Sequence, residues 1–387
     1  MLAVLALVTV GLLTVYSATS IPGAHQGLWT RQLAWAVIAF GVAWVVATVH
    51  YRAYDALAWP VYIASLLLLA LVLVKGSSAM GAKRWLDLGP VRFQPSELAK
   101  VATVLVLARR FDQEKLDLRR FSQWFPALLI ALVPFALVAK EPDLGTSLTF
   151  PVILIAMYFW AGMPVGQLLL GLSPVLTAVL FFLTGGLWWS GALVAALLAA
   201  VRPRLPALLN VGVGYALPHV WNHMHDYQKR RIATFMNPGE DPYRAGYQII
   251  QSRIAIGSGG ILGAGYLKGT QKGLAFLPMR HTDFIFSVVG EEWGLLGTVT
   301  VVLLYALLVL RGFRLALAAR SGFASLLAVG VVSALFYHIM VNILMTIGWA
   351  PVTGLPLPFI SYGGTALVAN GIQIGLLQNV AIRRMEL

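Results

Sequence analysis

Long apolar runs separated by short polar stretches recur along the whole chain. They predict helices near 2–19, 32–49, 57–75, 95–109, 125–140, 145–162, 164–183, 187–201, 205–220, 284–310, 323–347 and 361–382. A helix needs about 20 residues to cross a bilayer, and these runs do not alternate as the strands of a membrane barrel do. The pattern therefore predicts an all-α polytopic integral membrane protein of about 10 transmembrane helices, or up to 12 with an additional hydrophobic hairpin.

The two runs between residues 184 and 220 are shorter than most of the others. The segment 202–206 between them contains two arginines and two prolines, and proline interrupts a helix interior. They are predicted either as two further spans or as a re-entrant or interfacial hairpin. The expected organisation is a single membrane domain over 1–387, with the additional hairpin at 184–220 and a large polar loop at 221–282.

The positions of lysine and arginine predict which loops face the cytoplasm. With the first residue inside, the short inner loops carry about twice as many Lys and Arg residues as the short outer loops, as the positive-inside rule requires. This orientation places 221–282 outside. A long loop with Trp, Tyr and Ile spread through it is typical of a functional segment and not of a disordered one. The sequence therefore predicts a working site on the extracytoplasmic side.

Composition supports a membrane protein and excludes several kinds of partner and chemistry. Mean hydropathy is +0.80 and only 11% of residues are charged, against about 25% in soluble domains. The net charge of +13 lies in loops between apolar runs, which favours membrane lipids or a phosphate-bearing substrate over nucleic acid as partners. The absence of cysteine excludes disulfides, thiol catalysis and cysteine-ligated zinc. No charged n-region precedes the run Leu2 to Val15, which is predicted as a first transmembrane helix and not a signal peptide.

A charged pair lies inside the fourth apolar run. Glu97 and Lys100 are three residues apart, so both lie on one face of a helix and can form an ion pair. Ionisable residues inside a membrane are costly and often functional. Two interpretations stay equally open: a structural ion pair that fixes the bundle, and a pair that lines a substrate site.

Polar residues also cluster at two predicted membrane boundaries. Residues 140–143, Lys-Glu-Pro-Asp, end the fifth run. Charges here commonly face lipid headgroups, and Asp143 suits the N-cap of the next helix. Arg84 and Trp85 lie in an outer loop, where arginine suits a phosphate. Taken alone, Trp85 is better interpreted as a residue of the interfacial aromatic belt.

Two further segments are candidates for chemistry. His225 to Arg231 ends in consecutive basic residues, and arginine makes bidentate contacts with phosphate oxygens; attraction to anionic lipid explains the same residues. His281-Thr282-Asp283 precedes the run that begins at Phe284. From spacing alone this motif is predicted as a helix N-cap, and a general base in a partly dry site is the alternative.

The segment Pro351–Gly364 reads PVTGLPLPFISYGG. Its prolines and glycines predict non-helical backbone at membrane depth, which is tolerated where protein buries it or where it lines a cavity. The sequence contains no convincing metal-ligand spacing, phosphate-binding glycine loop or Ser/His/Asp arrangement.

Taken together, these segments resemble the SEDS family (shape, elongation, division and sporulation), and within it the RodA branch. The resemblance runs over nearly the whole chain, with the motifs in the same order. The matching stretches are KRWLDLGPVRFQPSELAK (83–100), EPDLGTS (141–147), the segment from MHDYQKRR to YLKGTQ (224–271), LPMRHTDFIFSVVGEEWGLLG (277–297) and GLPLPFISYGGT (354–365).

The resemblance implies a peptidoglycan glycosyltransferase that polymerises lipid II, a disaccharide-pentapeptide on undecaprenyl pyrophosphate, during cell-wall elongation. It also implies a class B penicillin-binding protein as partner, a bacterial inner-membrane location and an extracytoplasmic active site. The family's essential acid lies in its HTDF motif, so Asp283 is expected to act as general base in an inverting transfer. Substrate-binding roles are expected for Arg84, Trp85, Glu97, Lys100, Lys140, Asp143, Gln228, Arg231, Gln251, Arg253, His281, Thr282 and Ser361.

The leaving pyrophosphate needs a cation to stabilise its charge, and the resemblance does not decide between Arg231, Arg253 and Lys100 for this role. No cofactor is evident, and a divalent cation, Mg²⁺ or Mn²⁺, stays open as a further source of positive charge. Four residues before Asp283 this chain has Met279, where relatives often have Glu. A mechanism that needs a carboxylate at that position is therefore not expected here.

Two other function classes explain the same features less completely. A transporter that flips lipid II would also need intramembrane charges and a pyrophosphate site, so Glu97 and Lys100 do not exclude it. An inverted repeat would favour a transporter, and none is evident in the sequence. A scaffold for the penicillin-binding protein would leave Asp283 with no role beyond capping. The enzyme is therefore the preferred interpretation.

Overall fold

The computed structural model describes most of the chain. The described residues are 1–20, 27–79, 82–89, 91–113, 116–183, 190–199, 204–223, 229, 234–235, 246–269 and 279–383. Within these ranges the chain is a bundle of helices with one small sheet, and a helix lies in each of the predicted apolar runs. The predicted helical membrane architecture is confirmed.

The helices of the first half follow the apolar runs closely. They are α1 (Leu2–Thr19), α2 (Leu28–Thr48), α3 (Tyr51–Lys75), α4 (Pro95–Gln113), α5 (Phe121–Lys140), α6 (Leu144–Ser147) and α7 (Thr149–Trp160). The helices of the second half are α8 (Val165–Leu183), α9 (Ser190–Ala199), α10 (Arg204–His223), α11 (Tyr247–Ser258), α12 (Ile285–Ala318), α13 (Gly322–Thr346) and α14 (Gly364–Arg383).

Seven of the described helices are long and apolar enough to cross a bilayer. They are α1, α2, α3, α5, α12, α13 and α14. Helix α4 is not among them because charged side chains lie along it, and the apolar stretches of α6–α7 and α8 are shorter. The number of spans and the division of the chain at 184–220 and 221–282 stay predictions.

A small antiparallel sheet between α3 and α4 is the element that the hydropathy pattern missed. Its strands are β1 (Ser77–Ala79), β2 (Ala82–Leu88) and β3 (Val91–Phe93), in that order. Leu86 pairs with Phe93 and Leu88 with Val91, and Gly89 adopts φ 68° in the tight turn between the strands. The sheet carries Arg84 and Trp85, so their positions are fixed by strand pairing.

Helices α2 and α14 approach closely because small residues line their contact. A Cβ on Gly371 would lie 2.5 Å from the Ala39 carbonyl oxygen, and one on Gly375 would lie 2.6 Å from that of Ala43. Small residues four apart are the usual means by which membrane helices bring their backbones together. This contact fixes α14, and with it the segment that precedes α14, against the first part of the bundle.

Helix α12 is broken at Gly294, whose φ of 65° and ψ of −157° are not helical. The glycine-rich segment 259–265 fills the break. The amides of residues 264 and 265 donate to the carbonyls of Glu291 (2.9 Å) and Glu292 (3.1 Å), on the N-terminal side of the break. On its C-terminal side, the carbonyls of residues 260 and 261 accept from the amides of residues 295 (2.9 Å) and 296 (3.2 Å). Backbone groups freed inside a membrane need such internal partners.

The predicted hairpin region contains α9 and α10, which pack against α8. Asn210 is the centre of this contact: its side-chain oxygen accepts from the Thr177 hydroxyl at 2.6 Å and its amide donates to the Ser173 hydroxyl at 2.6 Å. All three side chains are buried. A satisfied polar cluster of this kind is a common means of joining helices in a membrane.

Candidate active site

Asp283 lies in the loop immediately before α12, and its side chain is half-buried. The N-cap position of α12 is Phe284, with no side-chain cap hydrogen bond. The prediction from spacing that this motif caps the helix is therefore wrong. Capping of α12 therefore does not account for Asp283.

Three successive backbone carbonyls of the loop are held in place by the α13–α14 part of the chain. The His281 carbonyl accepts from the Tyr362 backbone amide at 2.9 Å, the Thr282 carbonyl from the Ser361 hydroxyl at 2.6 Å, and the Asp283 carbonyl from the Asn342 amide at 2.9 Å. The fold thereby fixes the direction in which the Asp283 side chain leaves the backbone.

The Pro351–Gly364 segment forms one wall beside this carboxylate. It is non-helical until α14 begins at Gly364, as predicted. Gly354 adopts φ 77°, and a Cβ built there would lie 3.5 Å from Oδ2 of Asp283. A larger residue at Gly354 would be strained by the positive φ, and its Cβ would lie in van der Waals contact with the carboxylate.

Two bulky residues in these segments adopt left-handed backbone conformations. Met279 has φ 52° and Phe359 has φ 69°. Such conformations are costly for residues with long side chains, and they concentrate where the surrounding structure imposes a functional geometry. One lies four residues before Asp283 and the other in the opposing segment, which supports the assignment of this region as a site.

Asp143 forms a second acidic corner near the same segment. It caps α6, accepting from the Thr146 amide at 3.2 Å and the Thr146 hydroxyl at 2.9 Å, as the sequence predicts. Its carboxylate also pairs with Arg84 at 3.7 Å. A Cβ on Gly145 would lie 2.9 Å from the Thr353 Cβ, so the 143–147 turn packs on the segment that passes Asp283.

Glu141 is a buried acid that the sequence did not single out. Its side chain is 1% exposed, and neither carboxyl oxygen has a hydrogen-bond partner in the described part of the chain. Burial, and to a lesser extent the nearby Asp143 charge, raise the pKa of Glu141 to about 8 against the opposing effect of Arg84. At neutral pH Glu141 is therefore mainly an uncharged acid beside the Arg84–Asp143 pair.

The intramembrane pair predicted on α4 is present. The Lys100 ammonium donates to Oε1 of Glu97 at 2.8 Å, and both side chains are buried. The ammonium also lies 3.0 Å from Nε2 of His338, and the Thr149 hydroxyl lies 3.3 Å from the same nitrogen. Because an ammonium has no acceptor, His338 must accept through Nε2, which requires the neutral imidazole. His338 was missed because it lies on α13, far away in sequence.

The remaining predicted site residues lie in different surroundings. Trp85 is half-buried on β2, and Lys140 is exposed at the last position of α5. On α11, Gln251 is half-buried and Arg253 is exposed, with the Arg253 stem beside Gly348. Gln228 and Arg231 lie outside the described residues. The structure therefore brings Asp283, His281, Thr282 and Ser361 together directly, while Asp143 and Arg84 join them through the Gly145–Thr353 contact.

No group of three or more His, Cys, Asp or Glu residues that could hold a metal ion is present among the described residues. The acidic corner at Glu141 and Asp143 also contains the Arg84 guanidinium, which disfavours a bound cation. Participation of Mg²⁺ or Mn²⁺ stays a prediction from the resemblance.

Comparison with known proteins identifies the family. The family model described as "Cell cycle protein", which covers FtsW, RodA and SpoVE, matches residues 1–386. The chain belongs to this family, the SEDS family. The predicted resemblance to SEDS proteins of the RodA type is thus confirmed over the whole chain.

Relatives and solved structures match over nearly their full length. The peptidoglycan glycosyltransferase MrdB of Escherichia coli (strain K12) is 38% identical over 388 residues, which cover 100% of this chain and 94% of MrdB. A chain from a peptidoglycan synthase complex that coordinates polymerization and crosslinking aligns with a TM-score of 0.76 and 34% identity, covering 100% of this chain and 97% of that one. The rod shape determining protein RodA of Thermus thermophilus aligns with a TM-score of 0.67 and 30% identity, covering 100% and 96%.

Proposed function

We propose that this protein is a peptidoglycan glycosyltransferase that polymerises lipid II into glycan strands for cell-wall elongation. Two findings support this: membership of the SEDS family over residues 1–386, and 38% identity to a relative named peptidoglycan glycosyltransferase MrdB. The observation that carries the mechanism is the fixed loop at Asp283, where three consecutive carbonyls are bonded to the opposing segments.

In the proposed step Asp283 accepts the proton of the 4-hydroxyl of the acceptor's N-acetylglucosamine. The hydroxyl oxygen forms a bond to C1 of the donor's N-acetylmuramic acid as the bond from C1 to the pyrophosphate oxygen breaks, and the electron pair leaves with undecaprenyl pyrophosphate. An α-linked donor thereby becomes a β-1,4 linkage, so a single displacement with inversion suffices. A carboxylate held in position and partly shielded from water suits this general-base role.

The leaving pyrophosphate needs positive charge. Among the described cations proposed for this role, Arg253 is exposed on α11, whereas Lys100 is buried and engaged by Glu97 and His338. Arg253 is therefore the better candidate for direct contact, because guanidinium binds phosphate oxygens bidentately. Lys100, whose charge is already balanced by Glu97, is the weaker candidate.

The location and the partner follow from chemistry and from the relatives. We place the active site on the extracytoplasmic face of the bacterial inner membrane, on the basis of the Lys and Arg distribution in the short loops. A class B penicillin-binding protein is the proposed partner. One matched structure belongs to a complex that coordinates polymerization and crosslinking, and a crosslinking partner is what a glycan polymerase requires.

The test is polymer formation from purified lipid II by the solubilised protein, with and without its cognate penicillin-binding protein, resolved by gel electrophoresis. We expect glycan polymer in the presence of the partner. In parallel, proteoliposomes report translocation of lipid II across the bilayer. Translocation by the protein without polymer in either condition would replace the enzyme with a flippase.

A further inference from the structure

Asn342 is a buried amide on α13 that contacts the catalytic loop. Its side chain is 0% exposed, and its amide nitrogen donates to the Asp283 carbonyl at 2.9 Å and to the Leu355 carbonyl at 2.7 Å. Both partners are carbonyl oxygens and accept only, so the orientation of the amide is determined by its surroundings. Asn342 therefore joins the loop of the proposed base to the opposing segment.

Both hydrogen bonds of Asn342 act on the position of the Asp283 carboxylate relative to Gly354. Leu355 follows Gly354, and a Cβ on Gly354 would lie 3.5 Å from Oδ2 of Asp283. By holding the Leu355 and Asp283 carbonyls at once, Asn342 sets the distance between the carboxylate and the wall beside it. Two bonds from one rigid amide constrain that distance more tightly than two independent contacts would.

The other face of the Asn342 amide is unsatisfied. The side-chain oxygen of Asn342 is buried and has no hydrogen-bond partner in the described part of the chain. A buried acceptor without a partner lowers stability, and each such group in a fold calls for an explanation. Asn379, which joins α14 to α2, has the same unpartnered oxygen, so the position of the two Asn342 donors, and not the unpartnered oxygen, points to a role in the site.

We propose that Asn342 is a positioning residue for Asp283: it aligns the general base with the substrate hydroxyl by joining the Asp283 loop to the Gly354–Leu355 wall. The proposal rests on the proposed function and adds a residue to its machinery. Asn342 does not touch the substrate, so its effect falls on the chemical step and not on substrate binding.

The first variant is Asn342→Leu, which keeps the branched shape of the side chain, is somewhat larger, and removes both donors. We expect kcat for polymerisation to fall on the order of 10²-fold, since misplacement of a catalytic group by about 1 Å has that effect, while KM for lipid II stays within about twofold because uniform binding is untouched. Asn342→Gln keeps the donors on a side chain one methylene longer and is expected to lower kcat less, again at constant KM.

Asn379 provides a matched control elsewhere in the bundle. It is also an asparagine with 0% exposure, and its amide donates to the Val46 and Ala47 carbonyls at 3.1 Å each. Asn379→Leu therefore removes the same chemistry from a buried position in a different helix contact. It is expected to lower the melting temperature with little effect on kcat per folded protein.

The decisive comparison adds Asn342→Leu to Asp283→Ala. If Asn342 acts through Asp283, the double variant is no slower than Asp283→Ala alone, because couplings within one unit are not additive. The proposal is overturned if Asn342→Leu and Asn379→Leu lose kcat equally, or if the double variant loses the full additional factor. Should Asn342→Leu not fold, Asn342→Ala and Asn379→Ala replace the two leucine variants, and a folded Asn342→Ala that loses no more kcat than Asn379→Ala overturns the proposal equally.

The proposed function fails in a recognisably different way. If Asp283→Ala polymerises lipid II at the wild-type rate, the base is misassigned and Asn342 has no catalytic group to position. If Asp283→Ala is inactive while both asparagine variants behave alike, only the role of Asn342 is lost.

Discussion

At the scale of single residues, Asp143 and Asp283 show what spacing alone cannot decide. Both precede an apolar run and both suit an N-cap, but only Asp143 caps a helix, and α12 begins two residues after Asp283, with Phe284 as its N-cap. The identity of a capping residue depends on where the first helical turn closes, which the loop's tertiary contacts decide. The resemblance to a family, and not the spacing, separated the two acids as candidates for different roles.

The Glu97–Lys100 pair was predictable because it is local, whereas His338 was not. Residues three apart on a helix meet whatever the tertiary structure is. His338 reaches Lys100 only because α13 packs against α4, and nothing in a single sequence marks that encounter.

Replacement of Lys100 tests how much the buried Glu97–Lys100 pair contributes to stability. Lys100→Met leaves the Glu97 carboxylate buried without its ion-pair partner, which is expected to cost about 3–5 kcal/mol of stability. Arg92→Met is the matched control, since the Arg92–Asp87 pair is exposed and such pairs contribute about 0–1 kcal/mol. Melting temperatures in detergent would measure both. Equal decreases in melting temperature in the two variants would show that breaking the buried pair costs no more than breaking an exposed one, contrary to this prediction.

Glu141 makes stability depend on pH in a defined direction. Its folded-state pKa of about 8 lies above the ordinary 4.5, so between these values the native state holds a proton that the unfolded state has released. Stability is therefore expected to fall as the pH rises through this window, by up to about 1.4 kcal/mol per pH unit from this group. The stability that Glu141 contributes is fully present below pH 4.5 and is lost above about pH 8.

Glu141→Gln isolates that dependence because glutamine stays neutral throughout. Melting temperatures of the wild type and the variant, measured across this pH window, should converge at the acidic end and separate towards the basic end, with the variant the more stable. Parallel curves over the whole window would mean that Glu141 is charged in the folded protein.

At the scale of elements, apolar runs located the helices, but the broken helix α12 escaped notice. A glycine inside an apolar run is ordinary in membrane helices, so Gly294 gave no signal of a break. The segment that repairs the break, 259–265, lies in the predicted polar loop. The amides of this segment reach the carbonyls of α12 only because tertiary packing brings the two segments together. The small sheet was missed for a related reason, since strands of three to seven residues leave little pattern.

Gly259→Ala tests the contact that repairs α12. A Cβ at Gly259 would lie 1.9 Å from the Gly290 carbonyl oxygen, whereas one at Gly257 would have nothing within 4 Å. Gly259→Ala is expected to cost about 1–3 kcal/mol through overpacking, and Gly257→Ala to be neutral or slightly stabilising in its helix. Thermal unfolding compares the two. A Gly259→Ala protein as stable as Gly257→Ala would show that the two segments are not in close contact.

At the scale of the whole molecule, the order of the helices was predictable, and the meeting of distant segments at the site was not. The order of helices follows from hydropathy, which is a local property of the chain. The site depends on 141–147, 281–283 and 351–363 meeting beside α13. Their contacts, such as Tyr362 with His281 and Tyr337 with Gly145, join residues far apart in sequence. From one sequence, the family motifs were the only indication that these segments act together.

The central claim is that Asp283, held by this convergence, is the general base of glycan polymerisation. The most direct measurement is the rate of polymer formation from lipid II by folded Asp283→Asn beside the wild type, each with the penicillin-binding protein. Asparagine keeps the shape and removes the base, so the account predicts a rate lower by about 10²–10⁴-fold with unchanged folding and partner binding. A folded Asp283→Asn protein that makes polymer at the wild-type rate would contradict it.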